Sequence, residues 1–150
     1  MATALGSRRD PFLAFNFLVE IQGLVVGGFR EVRGLESHVE VKEFAEGGRN
    51  GYLHRIPGET RYPNLVLTRG LTDRDELWGW YQDVCKGLIV RRNATIVLLD
   101  SARRRVIGWD ILGALPVRWT GPTLDANRGT EVAAESIELV HQGILRPVQG

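Results

Sequence analysis

Residues 12–21 read FLAFNFLVEI, and this stretch indicates the fold most clearly. Every odd-numbered position in it is apolar, whereas the even-numbered positions mix apolar and polar residues. A period of two residues is typical of a β-strand that turns one face towards a core. The mixed second face predicts a surface covered by a neighbouring molecule, with Phe12, Asn16 and Glu20 as candidate inter-subunit contacts.

Comparable short segments recur along the whole chain. The 18 glycines among 150 residues separate segments rich in Val, Ile, Phe, Trp and Thr, a pattern that predicts many strands joined by turns. We expect further strands at 29–32, 39–44, 52–56, 64–69, 94–99, 106–112, 115–119 and 132–140. The strand at 52–56 is expected to stop at the Pro57-Gly58 pair, because proline interrupts a ladder of backbone hydrogen bonds.

One pair of strands is expected to project from the body. Val39 and Val41 alternate with Glu40 and Lys42, and residues 45–51 (AEGGRNG) then lack any apolar period. Their Asn-Gly pair is typical of tight hairpin turns. We therefore predict a β-hairpin with its tip at 45–51, and further candidate interface residues in that tip: Glu46, Gly47, Gly48, Arg49, Asn50 and Gly51.

A single helix is predicted over residues 72–86. Thr72 or Asp73 can cap its N-terminus, and Gly87 lies where a left-handed C-terminal cap is expected. Its apolar positions recur at helical spacing: Leu77, Trp80, Tyr81 and Val84.

Two further residues of this helix carry predictions. Cys85 lies beside the apolar stripe and is expected to be buried as a small hydrophobe. Trp78 and Trp80 point about 200° apart on a helix, so one of them is expected to face solvent or a protein partner.

Composition excludes several classes of protein. With one cysteine and three scattered histidines, the chain has no internal disulfide and no dense metal site, and we expect neither metal nor cofactor. No apolar run approaches the roughly 18–20 residues of a spanning helix, and the N-terminus does not read as a secretory signal. A net charge of +1 favours neither nucleic acid nor anionic lipid as a partner. We therefore expect a cytoplasmic protein, or one exported without a signal.

No catalytic arrangement is visible, and we expect a protein that is not an enzyme. Ser136, Glu138 and His141 lie close together in sequence, but a nucleophile and its base rarely come from one short extended run. His38 and His54 flank the hairpin, where a solvated or interfacial role is expected. The arginine runs at 91–92 and 103–105 fit either solvated turns or pairing with carboxylates of another subunit.

The order of motifs resembles the tail-tube proteins of contractile phages and of extracellular contractile injection systems. The resemblance covers residues 10–145 and rests on the combination of motifs rather than on any one of them. These motifs are DPF at 10–12 with FLVEI at 17–21, GFREVRGLE at 28–36, EGGRNG at 46–51, PG at 57–58 with YPNLVLTRG at 62–70, the helix at 75–85, ALPV at 114–117, and the segment 132–143.

The resemblance implies a mainly β fold, a two-sheet sandwich or barrel-like domain with one flanking α-helix and a projecting hairpin. It implies one domain over 1–150, with an N-terminal extension at 1–10. Subunits of that family form hexameric rings that stack into a hollow tube and contact tube paralogues, sheath and hub or spike proteins. Assembly in the cytoplasm would precede incorporation into a phage tail or an injection particle. The details at 60–80 and 116–121 resemble most the baseplate-proximal paralogue that initiates the tube.

An alternative from another class remains open at this point. A monomeric β-barrel that binds a small apolar ligand also needs many strands and aromatic residues. The two hypotheses differ in where they place open strand edges, because a closed barrel has none, whereas a tube subunit needs edges for its neighbours.

Overall fold

The computed structural model of the chain describes residues 10–14, 16–24, 26–45 and 53–146. Within these ranges the chain forms nine strands and one helix. In chain order they are β1 (Phe17–Ile21), β2 (Phe29–Arg33), β3 (His38–Ala45), β4 (Leu53–Arg61), β5 (Leu65–Gly70), α1 (Glu76–Cys85), β6 (Arg92–Leu99), β7 (Arg105–Thr120), β8 (Ala134–Val140) and β9 (Gly143–Leu145).

Seven of the nine strands form one antiparallel sheet in the order β1-β6-β7-β8-β5-β2, with β9 added beside β7. The long strand β7 belongs to both halves of this sheet. Its first part pairs with β6 and β9, and its last part, from Leu115 to Thr120, pairs with β8. Gly113, with a φ of +58°, separates the two parts. The two halves face each other as a sandwich, because both contribute to one apolar core.

The core follows from the period-two pattern of the strands. In β5 and β8 every second residue is buried, and the buried residues lie opposite one another: Leu65 against Leu139 and Leu67 against Ile137. Such cross-strand pairs are the unit by which a sheet is stabilised. Helix α1 adds Leu77 and Trp80, and the indole of Trp80 donates a hydrogen bond of 2.8 Å to the carbonyl of Val90.

A buried ion pair ends the apolar row of β5 and β8. Arg69 lies opposite Glu135, and both side chains are 2–3% exposed. Arg69 Nε donates to Glu135 Oε1 at 2.7 Å, and the indole of Trp119 donates to Glu135 Oε2 at 3.0 Å. Arg69 also donates to the carbonyl of Arg74 at 3.2 Å. The pair therefore ties two central strands to the segment that leads into α1.

The helix is shorter than its pattern predicted. It begins at Glu76 rather than 72, and neither Thr72 nor Asp73 caps it. The Thr72 hydroxyl instead accepts a hydrogen bond from the backbone of Arg74, which holds the preceding residues in a separate turn. Gly87 has the expected left-handed backbone, with φ +88°. The prediction that Cys85 is buried is wrong, because it lies at the exposed end of the last turn.

Three strand predictions are also wrong in extent. Strand β1 starts at Phe17 rather than at residue 12. Strand β4 continues through Pro57-Gly58 to Arg61, because an irregularity in the register at this point tolerates the proline. The segments 106–112 and 115–119 belong to one strand, since β7 passes through Gly113 without a break. Strand β9 was not predicted.

Candidate assembly surface

The hairpin β3–β4 forms a sheet of its own, and among the described residues its strands pair only with each other. Both of its faces are exposed. Its large apolar side chains have 46–60% of their surface open to solvent: Val39, Val41, Phe44, Leu53 and Ile56. An isolated two-stranded hairpin is marginally stable in water, so these side chains form a surface suited to a partner.

The register assigns the hairpin residues to two faces, because directly opposed residues share a side. The valine face is mainly apolar and carries one ion pair, Glu43–Arg55 at 3.2 Å; its other members are Val39, Val41, Ala45, Leu53, Pro57 and Thr60. The opposite, mixed face carries the stacked rings of Phe44 and His54, 5.1 Å apart, and the ion pair Arg61–Glu40 at 2.9 Å.

Two contacts hold the root of the hairpin, which we define as residues 34–37 and 62–64. Gly34 has φ +96°, and a side chain there would overlap the Asn64 backbone. The two legs of the hairpin therefore pass each other at backbone distance. On the second leg, Tyr62 lies against His141, just after β8, with ring centroids 5.4 Å apart.

The main sheet has two open edges. Strand β1 pairs only with β6, and β2 only with β5, among the strands of the described ranges. Grooves of about 380 Å³ and about 350 Å³ lie beside these edges, both lined in part by Phe17. Phe29 lines the first groove, and Val32 and Trp109 line the second. The space between the two halves of the sheet is filled by core side chains, which does not fit a barrel with an internal apolar ligand.

The predicted interface residues fall into two groups. Phe12 is about half exposed and lines the second groove. Asn16 donates to the carbonyl of Asp100 at 2.8 Å, and Glu20 pairs with Arg105 at 2.6 Å, so both already have partners within the chain. The six predicted tip residues, 46–51, lie outside the described residues.

The other polar candidates mostly bond within the chain. Arg91 and Arg92 donate to the carbonyls of Gly113 and Gln22, both at 2.9 Å. In the second arginine run, Arg104 pairs with Asp100 at 3.1 Å. These bonds agree with the solvated-turn interpretation.

No catalytic arrangement forms around the three residues weighed from the sequence. Glu138 lies near Arg118, at 3.7 Å, and His141 lies beyond the end of β8 beside Tyr62. Within the described residues there is no group of three metal-ligating side chains. No helix in those ranges has the length and apolarity to cross a membrane.

Of the two helix tryptophans, Trp80 is buried and Trp78 faces outward. Trp78 is partly covered by an edge-on contact with Trp119, with ring centroids 4.6 Å apart. The sequence missed this pairing, and it also missed the hairpin valines as surface residues, because Val39 and Val41 alternate as they would in a core strand. The combined features, two open edges and a self-paired exposed arm, define a building block that assembles through its surface.

The family confirms this class. The model of the T4-like virus tail tube protein gp19 family matches residues 13–145, and the chain belongs to that family. It is a structural subunit of a tube.

Solved structures share the fold over nearly the whole chain. A chain of the anti-feeding prophage baseplate is 27% identical, with a TM-score of 0.82, and the match covers 93% of this chain and 97% of that one. A chain of the PVC sheath–tube complex, from an extracellular contractile injection system, is 22% identical with a TM-score of 0.84 and 99% of both chains covered. A chain of the anti-feeding prophage cap is 21% identical, with a TM-score of 0.84, covering 98% of this chain and 100% of that one. A search of curated protein sequences found no significant match.

Proposed function

We propose that this tube subunit forms hexameric rings that stack into a hollow tube, and that the β3–β4 hairpin supplies contacts between copies. The observation that carries the proposal is the exposure of large apolar side chains on both faces of a hairpin that pairs only with itself within the described chain. The role is mechanical, with no catalytic step and no cofactor.

The open edges suit a ring. Strands β1 and β2 differ in sequence, so a contact between β1 of one copy and β2 of the next joins two different surfaces. Contacts of this head-to-tail kind close into rings when the rotation between copies allows it. Pairing also removes the free backbone groups that make an open edge prone to aggregation. Phe12, Asn16 and Glu20 lie on this side of the molecule, and the hairpin tip at 46–51 would reach an adjacent ring.

The finer assignment is the baseplate-proximal end of the tube. Its support is the resemblance of residues 60–80 and 116–121 to the initiating paralogue, together with the similarity to a chain of the anti-feeding prophage baseplate. In that position the ring would contact hub or spike proteins below, tube paralogues above, and sheath around it. Assembly would occur in the cytoplasm, and the finished ring would be part of a phage tail or an injection particle.

The test uses a matched pair of substitutions at Val41. Val41→Asp places a charge on the valine face, whereas Val41→Ile keeps its shape and apolarity. We expect the native chain and Val41→Ile to form rings or tubes by negative-stain microscopy and light scattering, and Val41→Asp to remain monomeric. Urea unfolding should show folded monomers of nearly equal stability, because Val41 is 60% exposed.

A charge reversal provides a second control. Exchanging the partners, as Glu43→Arg with Arg55→Glu, keeps the ion pair within the hairpin while it changes what a neighbour meets. Rings formed equally well by Val41→Asp would contradict the hairpin contact. A chain that stays monomeric at every concentration, with and without hub and sheath proteins, would contradict the ring. The number of copies per purified particle separates a single initiating ring from the bulk of the tube.

A further inference from the structure

His141 is an unusual polar group in this fold. It follows the last residue of β8, and both of its ring nitrogens are buried without a hydrogen-bond partner. Its ring lies against the ring of Tyr62, with the centroids 5.4 Å apart and the planes inclined by 52°. The backbones of Gly143 and Pro63 lie nearby, but neither reaches hydrogen-bonding geometry with a ring nitrogen.

Tyr62 gives this contact structural importance. It directly follows the last residue of β4 and so forms the second leg of the hairpin root. Tyr62 also lies beside Gly143, where a Cβ would be 3.8 Å from the phenol ring. Because the hairpin strands pair only with each other within the described chain, the hairpin's position depends on its root. The root is held by the close passage of Gly34 and Asn64 and by the packing of Tyr62 on His141 and Gly143.

Protonation would change this contact. The groups that act on His141 are the Tyr62 ring and the backbones of Pro63 and Gly143, and none of them carries a charge in neutral or acidic solution. Burial lowers the pKa of His141, and the two backbone groups offset that effect only in part. A protonated ring would place a cation and two N–H donors in a site without an acceptor in position, which is costly in a buried setting.

We propose that the His141–Tyr62 contact is an acid-sensitive latch on the hairpin root, and that protonation of His141 displaces Tyr62 and loosens the hairpin. The sign follows from the neutral ring being favoured in the folded chain. The latch is closed at neutral pH and weakens as the pH falls below the ordinary histidine range of about 6.5. The latch itself is a property of the single chain; its consequence, tubes that loosen in acid, rests on the proposed function.

Hydrogen–deuterium exchange read by mass spectrometry tests the latch. Backbone exchange of residues 60–66, relative to an unstructured peptide of the same sequence, reports opening of the root. Exchange of the imidazole carbon-bound hydrogen gives the titration midpoint of each histidine separately. His141→Phe keeps an aromatic ring against Tyr62 but cannot be protonated. His38→Gln is the matched control, because it removes an exposed histidine on the hairpin itself.

In the native chain we expect exchange at the root to rise about fivefold or more between about pH 7.5 and about pH 5.5, because each pH unit changes the protonated fraction up to tenfold. The rise should follow the His141 midpoint, persist in His38→Gln and disappear in His141→Phe. An acid response retained in His141→Phe would overturn the proposal. So would a native chain in which His141 titrates without any change at the root, a result that does not depend on the folding of any variant. Because exchange is measured on unassembled chain, it is independent of whether rings form.

Discussion

Replacing Glu135 with leucine should expose the energetic role of the buried ion pair. The substitution leaves the Arg69 guanidinium, 3% exposed, with only the longer contacts to Arg74 and Glu76 at 3.2 and 3.5 Å. It also removes the acceptor of the Trp119 indole. Breaking one side of a buried pair costs about 3–5 kcal/mol. Since domains of this kind have about 5–15 kcal/mol of stability, urea unfolding should shift strongly.

Two further variants make the measurement specific. In Arg69→Met with Glu135→Leu no buried charge remains, and we expect a loss within about 1–2 kcal/mol of the native chain, far less than the sum of the single losses. Glu20→Gln breaks an ion pair of similar length, 2.6 Å, between side chains that are 59% and 53% exposed. Its cost should stay below about 1 kcal/mol. The reasoning fails if Glu135→Leu costs no more than Glu20→Gln, or if the effects of the two buried substitutions simply add.

Three other predictions follow from local geometry. Gly34→Ala should cost more than about 1 kcal/mol in urea unfolding, because φ is +96° and its Cβ would overlap the Asn64 backbone, whereas Gly79→Ala, in α1 with open space around it, should be neutral or stabilising. The backbone N–H of Arg104 lowers the pKa of Asp100, so this group's stabilisation is present above the ordinary aspartate range and is lost as the pH falls through the lowered pKa; Asp100→Asn should flatten that part of the stability profile, and an unchanged slope would contradict it. Cys85 should react with a thiol reagent in the folded chain at a rate near that of a free thiol, since it is exposed; labelling only in denaturant would refute this.

Local pattern predicted the central strands because their burial follows their sequence directly. The strand expected at 132–140 is seen as β8, and the apolar row at Leu65 and Leu67 faces the core as predicted. The errors arose where a nonlocal or special backbone feature overrides the pattern. A left-handed Gly113 lets β7 continue where a glycine indicated a turn, and a register irregularity lets β4 pass through Pro57.

The surface was harder to predict than the core. Arg69 extends the apolar row of β5, and only the pairing of β5 with β8 shows that Glu135 lies opposite and makes its burial tolerable. In the same way, the alternation of Val39 and Val41 predicts a strand but not whether a core covers it. That information is in the topology, which leaves the hairpin beside no other described strand.

The composition of the hairpin reflects two requirements that conflict. Before assembly its apolar side chains face water, so a purely apolar arm would associate without specificity. Ion pairs on each face, Glu43–Arg55 and Glu40–Arg61, keep charge on the arm while leaving the apolar groups between them available. Exposed pairs of this kind add little stability, so they can be covered or rearranged by a neighbour at small cost, while the proposed burial of Val39 and Val41 would supply the favourable free energy. Under the proposed assembly, the hairpin is therefore tolerated in the single chain and stabilised only in the tube.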